Sequence, residues 1–185
     1  MMRWLACLLL LAAASCAGTD TGGASAVREP FDAGDYRLGS GDEVRLTVFG
    51  EQDLSGTYAV DGRGEVTLPL VRGVVAAGLT APELADAIAD ALRQGFLRDP
   101  RVTVEVATYR PYFILGEVAR PGTYPYQNGL TVLNAVATAE GFTYRANERS
   151  VFIRRDGEAQ EHRFVLDSAT TVRPGDTIRI GERLF

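Results

Sequence analysis

Two segments of alternating apolar and polar residues, separated by one segment with helical periodicity, constrain the fold of this 185-residue chain most strongly. Residues 43–49 and 100–106 alternate with a period of two, which is typical of strands with one buried face. Between them, residues 80–94 begin with Thr, Pro and Glu in positions that cap a helix, and their apolar residues recur every three or four positions. A helix between two half-buried strands predicts a small α+β unit.

The second half of the chain shows the same kinds of element in a different order. Residues 112–118 predict a strand, residues 131–139 a helix, and residues 151–166 a hairpin that turns at Asp156. We therefore expect an α+β chain of two units, each with one main helix packed on a short mixed sheet. The side chains expected in its core are Ile88, Leu92, Val104, Leu115, Leu133 and Val136.

A further hairpin is predicted in the first half. Residues 58–60 and 65–70 flank the turn sequence Asp-Gly-Arg-Gly at 61–64. Because Pro69 has no amide hydrogen to donate, it places the second strand at a sheet edge or at a bulge.

Two short segments of the chain echo each other. Residues 38–46 and 172–180 both contain Gly-Asp, one further residue, and then an apolar residue, Arg and another apolar residue. The Gly-Ser-Gly-Asp sequence at 39–42 predicts a turn with a positive φ. Gly-Asp is also a common way to turn into a strand, so the echo fits either a repeated unit or two independent turns.

The first sixteen residues predict export from the cytoplasm. Arg3 precedes an unbroken apolar run over 4–14, which is shorter than the about 20 residues of a membrane-spanning helix and suits a signal peptide. The sequence Ala-Ala-Ser-Cys at 13–16 resembles the lipobox of bacterial lipoproteins, with Ala13 in place of the usual Leu. That resemblance implies a signal peptide over 1–15 and lipidation of Cys16. A plain secretory signal with an incidental cysteine is the alternative.

The residues after Cys16 bear on the location of the protein. Ala17 stands where an Asp in such lipoproteins commonly signals retention in the inner membrane, so Ala17 is compatible with sorting to the outer membrane. Residues 16–34 are rich in small and polar residues without apolar periodicity, which predicts a flexible tether. We expect a lipid-anchored protein of the outer membrane whose domains face the periplasm.

Composition excludes several classes of protein. The net charge is −5, and all 19 basic residues are Arg scattered along the chain, whereas a nucleic-acid-binding protein shows a basic stripe. The two Cys lie in different contexts, so they predict neither a disulfide scaffold nor a zinc site. The single histidine, His162, lies in a polar stretch and predicts a surface strand position. Since no catalytic motif accompanies it, we expect no enzyme activity, no metal and no cofactor.

Short motifs follow one another along the chain in a fixed order. The first four are the opening sequence at 36–44, Asp-Gly-Arg-Gly at 61–64, Gly-Leu-Thr at 78–80 and Asp-Pro-Arg-Val at 99–102. The later ones are Gly-Glu-Val at 116–118, Pro-Gly-Thr-Tyr at 121–124, Thr-Val-Leu at 131–133, Ala-Glu-Gly at 139–141 and the closing Arg-Pro-Gly-Asp at 173–176. The first four motifs resemble the polysaccharide export domain of bacterial outer-membrane polysaccharide export lipoproteins. The later motifs are similar to the soluble-ligand-binding β-grasp domain that follows it in that family.

This resemblance implies a polysaccharide export domain over 35–110 and a β-grasp domain with its closing strand over 111–185. Members of the family form rings in the periplasm and pass capsular or exopolysaccharide from an inner-membrane copolymerase towards the cell surface. Larger members end in an amphipathic helix that helps to build an outer-membrane pore, whereas residues 181–185 alone follow the last predicted strand here. We therefore expect a short form that uses a separate outer-membrane pore protein or caps the periplasmic conduit.

Seven aromatic residues lie between positions 109 and 144. Aromatic rings at strand and turn positions pack in cores and edges, and exposed ones contact sugars or neighbouring subunits. Because tight binding would halt a moving polymer, subunit contact is the expected role of the exposed members. The candidate interface residues are Tyr112, Tyr124, Tyr126 and Tyr144.

Two functions from different classes fit these observations. The first is a non-catalytic component of an oligomeric export conduit, and the alternative is a monomeric glycan- or ligand-binding lipoprotein of the cell envelope. Ring assembly distinguishes them, because a conduit must oligomerise around an axis and a receptor can act as a monomer.

Overall fold

The structure is a computed structural model, and it describes residues 33–183. Within this range the helices and strands form two successive α+β units, which confirms the expected fold class. In chain order the elements are β1 (Glu43–Val48), β2 (Gly56–Ala59), β3 (Glu65–Val66), β4 (Val74–Val75), α1 (Ala81–Arg93), β5 (Val102–Thr108), β6 (Tyr112–Gly116), β7 (Gly122–Tyr124), α2 (Val132–Thr138), β8 (Ala146–Arg154), β9 (His162–Val165) and β10 (Thr177–Glu182). The predicted signal peptide and Cys16 lie outside the described residues.

In the first unit, α1 packs against an antiparallel sheet with the strand order β2-β1-β5. Every second residue of β1 is buried and the residues between them are exposed, as the alternating sequence predicts. Leu84, Ile88 and Leu92 recur on one side of α1 and are fully buried in the same core. Burying each such side chain contributes about 1.5–3 kcal/mol, so this apolar face holds the helix on the sheet.

The start of α1 is fixed by the capping residues that the sequence indicates. The Thr80 hydroxyl accepts a hydrogen bond from the Glu83 amide at 3.4 Å, and the Glu83 carboxylate accepts one from the Thr80 amide at 2.7 Å. This reciprocal pair satisfies two donors at the helix start. The hydrogen bond from the Thr80 amide also lowers the pKa of Glu83.

Within the described part of the chain, most of the hairpin expected between residues 58–60 and 65–70 does not form. β2 pairs with β1, β3 pairs with β4, and a single bridge between Val60 and Val66 joins the two predicted partners. Pro69 cannot donate to a strand ladder, and Leu70 adopts a positive φ of 70°. The strand therefore ends at Val66, before these two residues.

The second unit has a five-stranded sheet with the order β7-β6-β10-β8-β9. β10 runs parallel to β6, and the other neighbours are antiparallel. Val132 and Val136 of α2 share a buried cluster with Ile114 and Ile178 of the sheet, so α2 covers one face. The predicted hairpin that turns at Asp156 is confirmed as β8 and β9.

Two of the six predicted core residues are wrong. Ile88, Leu92, Val104 and Val136 are buried, but the exposed fraction is 44% for Leu115 and 37% for Leu133. Leu115 follows the inward-facing Ile114 along β6, so it lies on the opposite face of the sheet. Leu133 directly follows the buried Val132 on α2, and neighbouring residues of a helix point in different directions.

Candidate functional site

The residues that the structure describes contain no group of three or more His, Cys, Asp or Glu side chains that could hold a metal ion. His162 lies exposed on β9, with its Nε2 atom 3.3 Å from a Glu158 carboxylate oxygen, and it therefore occupies the predicted surface position. None of the helices within residues 33–183 is both long and apolar enough to cross a membrane.

Two of the four candidate interface tyrosines are buried. Tyr112 lies in the core of the second unit and stacks on Tyr124, with the ring centroids 5.9 Å apart. Tyr126 packs edge-on against Tyr109 where the two units meet. Burial raises the pKa of Tyr126 to about 12. Neither Tyr112 nor Tyr126 presents an exposed ring, so the expectation that they contact another subunit is corrected.

The other two tyrosines are accessible to different degrees. Tyr144 follows α2 with an exposed fraction of 86%, whereas Tyr124 is half-buried on β7 and donates its hydroxyl to the Arg120 carbonyl at 2.7 Å. Tyr144 is therefore the candidate that is most available for contact with a neighbouring molecule.

The face of the second sheet opposite α2 is a surface that the sequence analysis missed. Phe113 and Leu115 of β6 are exposed on it, and the Arg179 guanidinium lies 4.2 Å from the ring centroid of Phe152 in the adjacent strand. Arg179 also donates two hydrogen bonds of 2.9 and 2.5 Å to one Glu161 oxygen, which lowers the pKa of Glu161. Because Tyr112–Leu115 is apolar throughout, the sequence did not reveal which alternate residues face outward.

The predicted turn at residues 39–42 leads the chain into β1. The Asp42 amide donates to the Gly39 carbonyl at 3.1 Å, and Gly41 has a φ of +93°, which favours glycine at this turn position. The fully buried Asp42 carboxylate accepts hydrogen bonds from the Gly39 amide at 2.8 Å and the Tyr36 hydroxyl at 2.6 Å. The Asp42 carbonyl accepts from Val60 at 2.8 Å, so the turn is joined to the strand region beside it.

The echoing segment adopts the same turn ahead of β10. The Asp176 amide donates to the Arg173 carbonyl at 3.2 Å, and Gly175 has a φ of +82°. The buried Asp176 carboxylate accepts hydrogen bonds from the Arg173 amide at 2.7 Å and the Arg155 guanidinium at 2.5 Å. Its carbonyl accepts from Phe113 at 2.8 Å. The sequence echo therefore corresponds to one turn geometry used twice, once in each unit.

The two turns differ in their electrostatics. Burial raises the pKa of Asp176, although Arg155 and the Arg173 amide act in the opposite direction. One oxygen of Asp176, Oδ1, has no hydrogen-bond partner within the described range. In the first turn, burial and the hydrogen bond to Asp42 raise the pKa of Tyr36, so its hydroxyl remains a donor.

Comparison with known families agrees with this two-unit architecture. Residues 32–107 match the family described as polysaccharide biosynthesis/export protein, and residues 111–163 match the SLBB domain. The chain is thus an export domain followed by an SLBB domain. It belongs to the polysaccharide export protein family.

Several curated relatives match about four fifths of this chain. It is 39% identical to the exopolysaccharide production protein ExoF of Rhizobium meliloti (strain 1021), over 80% of this chain and 35% of the relative. It is 26% identical to the EPS I polysaccharide export outer membrane protein EpsA of Ralstonia solanacearum, over 80% and 48% respectively. It is 24% identical to the polysialic acid transport protein KpsD of Escherichia coli, over 80% and 28%. The chain therefore spans less than half the length of each of these relatives.

Proposed function

We propose that this protein is a non-catalytic component of a conduit that exports capsular or exopolysaccharide through the periplasm and outer membrane. The observation that carries this proposal is the succession of an export domain and an SLBB domain in one chain. Relatives named for exopolysaccharide production, polysaccharide export and polysialic acid transport support the same role. The conduit receives polymer from an inner-membrane copolymerase.

The proposal includes a lipid anchor at Cys16 that holds the domains beneath the outer membrane. Several acyl chains on one cysteine make release from a membrane very slow, whereas a single chain binds only marginally. The variant Cys16→Ser should lose label from radioactive palmitate and leave a soluble or unprocessed protein. Cys7→Ser is the matched control, since Cys7 lies within the predicted signal peptide and should leave labelling unchanged. Equal labelling of both variants would remove the anchor.

The proposal also includes a homo-oligomeric ring and a separate pore protein that completes the conduit at the outer membrane. Tyr144 supports it as an exposed aromatic anchor for a neighbouring subunit. Native mass measurement of the detergent-solubilised protein should give a single closed oligomer, and Tyr144→Ser should shift it towards monomer. Phe49→Ser, which changes an exposed aromatic in the first unit, is the control.

Deletion of the gene tests the function itself. The deletion strain should lose surface polysaccharide while polymer synthesis continues, and the wild-type gene should restore export. Normal export by the deletion strain would contradict the conduit.

The exposed sheet face with Phe113, Phe152 and Arg179 favours a second candidate function, a monomeric glycan-binding lipoprotein of the envelope. Aromatic rings beside charged planar groups can bind sugar rings and their substituents. A monomeric protein that binds oligosaccharide in solution would support this alternative over the conduit.

A further inference from the structure

The short linker between the two units carries a continuous aromatic contact. β5 ends at Thr108 and β6 begins at Tyr112, and Tyr109 lies between them. The Tyr109 ring meets Tyr36 edge-on at 4.9 Å between centroids and Tyr126 at 5.4 Å. Since Tyr36 belongs to the first buried cluster and Tyr126 to the second, Tyr109 links the two cores.

The next linker residue, Arg110, binds carboxylates from both units. Its amide donates to Asp42 Oδ1 at 2.7 Å, and its guanidinium lies 3.3 Å from Asp42 Oδ2 and 3.0 Å from Asp156 Oδ2. Asp42 ends the first turn and Asp156 lies in the loop between β8 and β9. The Arg110 side chain is only 15% exposed, so water screens these contacts less than it screens a surface ion pair.

Both glycine-containing turns leave room for this side chain. A Cβ atom on Gly39 would lie 1.7 Å from Arg110 Nη1, and a Cβ atom on Gly175 would lie 2.8 Å from Arg110 Nε. Real Cβ atoms do not approach other atoms so closely. The guanidinium therefore occupies a space bounded by one turn from each unit.

We propose that Arg110 is a latch that fixes the orientation of the two units relative to each other. Within residues 33–183 no strand of one sheet pairs with a strand of the other, so the sheets themselves supply no such constraint. Units joined through a small contact move relative to each other by default. Contacts from one arginine to a carboxylate on each side, together with Tyr109, oppose that motion. This inference concerns the chain itself and does not depend on the proposed export function.

Asp156, the second carboxylate that Arg110 contacts, is the better residue to substitute because it is the more exposed of the two. Asp156 has an exposed fraction of 52%, so Asp156→Asn breaks the latch without leaving a buried charge unpaired. Arg110→Ala removes both guanidinium contacts, and Asp42 keeps its bonds to Tyr36, Gly39 and the residue-110 amide. Glu140→Gln is the matched control, because Glu140 forms an exposed ion pair with Arg120 inside the second unit.

The experiment measures the distance between the two units in the full chain by pulsed electron paramagnetic resonance. Spin labels are attached through unnatural amino acids at Asp86 on α1 and Ala137 on α2, which are both exposed. Labelled protein is diluted with excess unlabelled chain, so that distances between molecules in an oligomer do not contribute.

Wild type and Glu140→Gln should give one narrow distance distribution. Asp156→Asn should broaden it, and Arg110→Ala should broaden it about twofold or more, while circular dichroism shows that both variants remain folded. Unchanged distributions in the folded variants would overturn the latch. If Arg110→Ala does not fold, Asp156→Asn decides alone: broadening supports the latch, and an unchanged width overturns it.

Discussion

The turns at residues 39–42 and 173–176 share one backbone geometry and differ in how their buried carboxylates are balanced. Each ends in an Asp whose carboxylate accepts a hydrogen bond from the amide three residues earlier, and each has glycine at a positive φ. Asp42 receives further bonds from the Tyr36 hydroxyl and from Arg110 of the linker. Asp176 receives one further bond, from Arg155 in the neighbouring hairpin.

Because of this difference, the carboxylate of the turn at 173–176 bonds within the second unit, whereas the carboxylate of the turn at 39–42 bonds to the linker between the two units. The Arg155 contact to Asp176 braces the second sheet internally, since both residues belong to that unit. The Arg110 contact to Asp42 reaches out of the first unit into the linker. The two turns have the same backbone geometry, and their structural roles differ because a different arginine binds each aspartate: Arg155 binds Asp176, and Arg110 binds Asp42.

The largest expected effect comes from removing the two carboxylates. Asp42→Ala should destabilise the protein by about 3–5 kcal/mol, because the largely buried Arg110 guanidinium loses one of its two carboxylates and three other donors lose their acceptor. Asp176→Ala should cost less, since only Arg155 and one amide lose theirs. Guanidinium chloride unfolding measures both free energies. Equal losses in the two variants would show that the number of hydrogen-bond donors to each carboxylate does not set its contribution to stability.

Glycine substitutions test how much room each of the two turns leaves for a side chain. Gly175→Ala should cost about 2–4 kcal/mol, because its Cβ would meet Arg110 and lie 2.9 Å from Asp156 Cβ as well as adopting a positive φ.

Gly41→Ala should cost only about 1–2 kcal/mol, because its nearest new neighbour lies at 3.7 Å and the strain is that of the backbone alone. Gly157→Ala is the control, with a φ of +79° and no atom within 4 Å of the added Cβ. Thermal unfolding should rank Gly175→Ala well below the other two variants. A similar loss of stability in all three variants would mean that the Arg110 and Asp156 side chains move away from the added Cβ at little cost.

Tyr36→Phe should cost about 1.5 kcal/mol at neutral pH, the lower end of the net value of a hydrogen bond to a charged group, since the acceptor is the Asp42 carboxylate. The pKa of Tyr36 is raised in the folded protein, so its contribution is fully present below the ordinary tyrosine pKa of 10.0 and is lost as the pH rises through the folded value. The difference in unfolding free energy between wild type and Tyr36→Phe should therefore shrink above pH 10.0. A constant difference would contradict the role of the hydroxyl as a donor.

The smallest expected effect is the change with pH in the stability that the Asp176 carboxyl group contributes in the acid range. Because its folded pKa is raised above the ordinary value of 3.8, the folded state holds a proton more tightly than the unfolded chain in that window. Its contribution is greatest below pH 3.8 and falls as the pH rises through the folded pKa. The stability of wild type relative to Asp176→Asn should decline correspondingly in unfolding curves measured across this range. An increase with pH would mean that Arg155 outweighs burial.

Local sequence patterns predicted much of the fold, but they could not predict contacts between residues that lie far apart in the sequence. The Thr80 capping box and the alternation of β1 each depend on a few neighbouring residues, so both could be read directly. Leu115 was misplaced because it and Ile114 are both apolar, and only the packing of α2 selects the inner face. Arg110 meets Asp42 across 68 positions, and no spacing in the sequence indicates that pairing.

The central position of β10 has a consequence for the order in which the chain can acquire its structure. β10 lies between β6 and β8, although it is the last strand of the described range. Until residues 177–182 have emerged from the ribosome or crossed a translocation channel, β6–β7 and β8–β9 have no strand to join them. The first unit needs none of these residues for its own sheet. The first unit can therefore fold before the chain is complete on the side where it folds, whereas the second unit must wait for its middle strand.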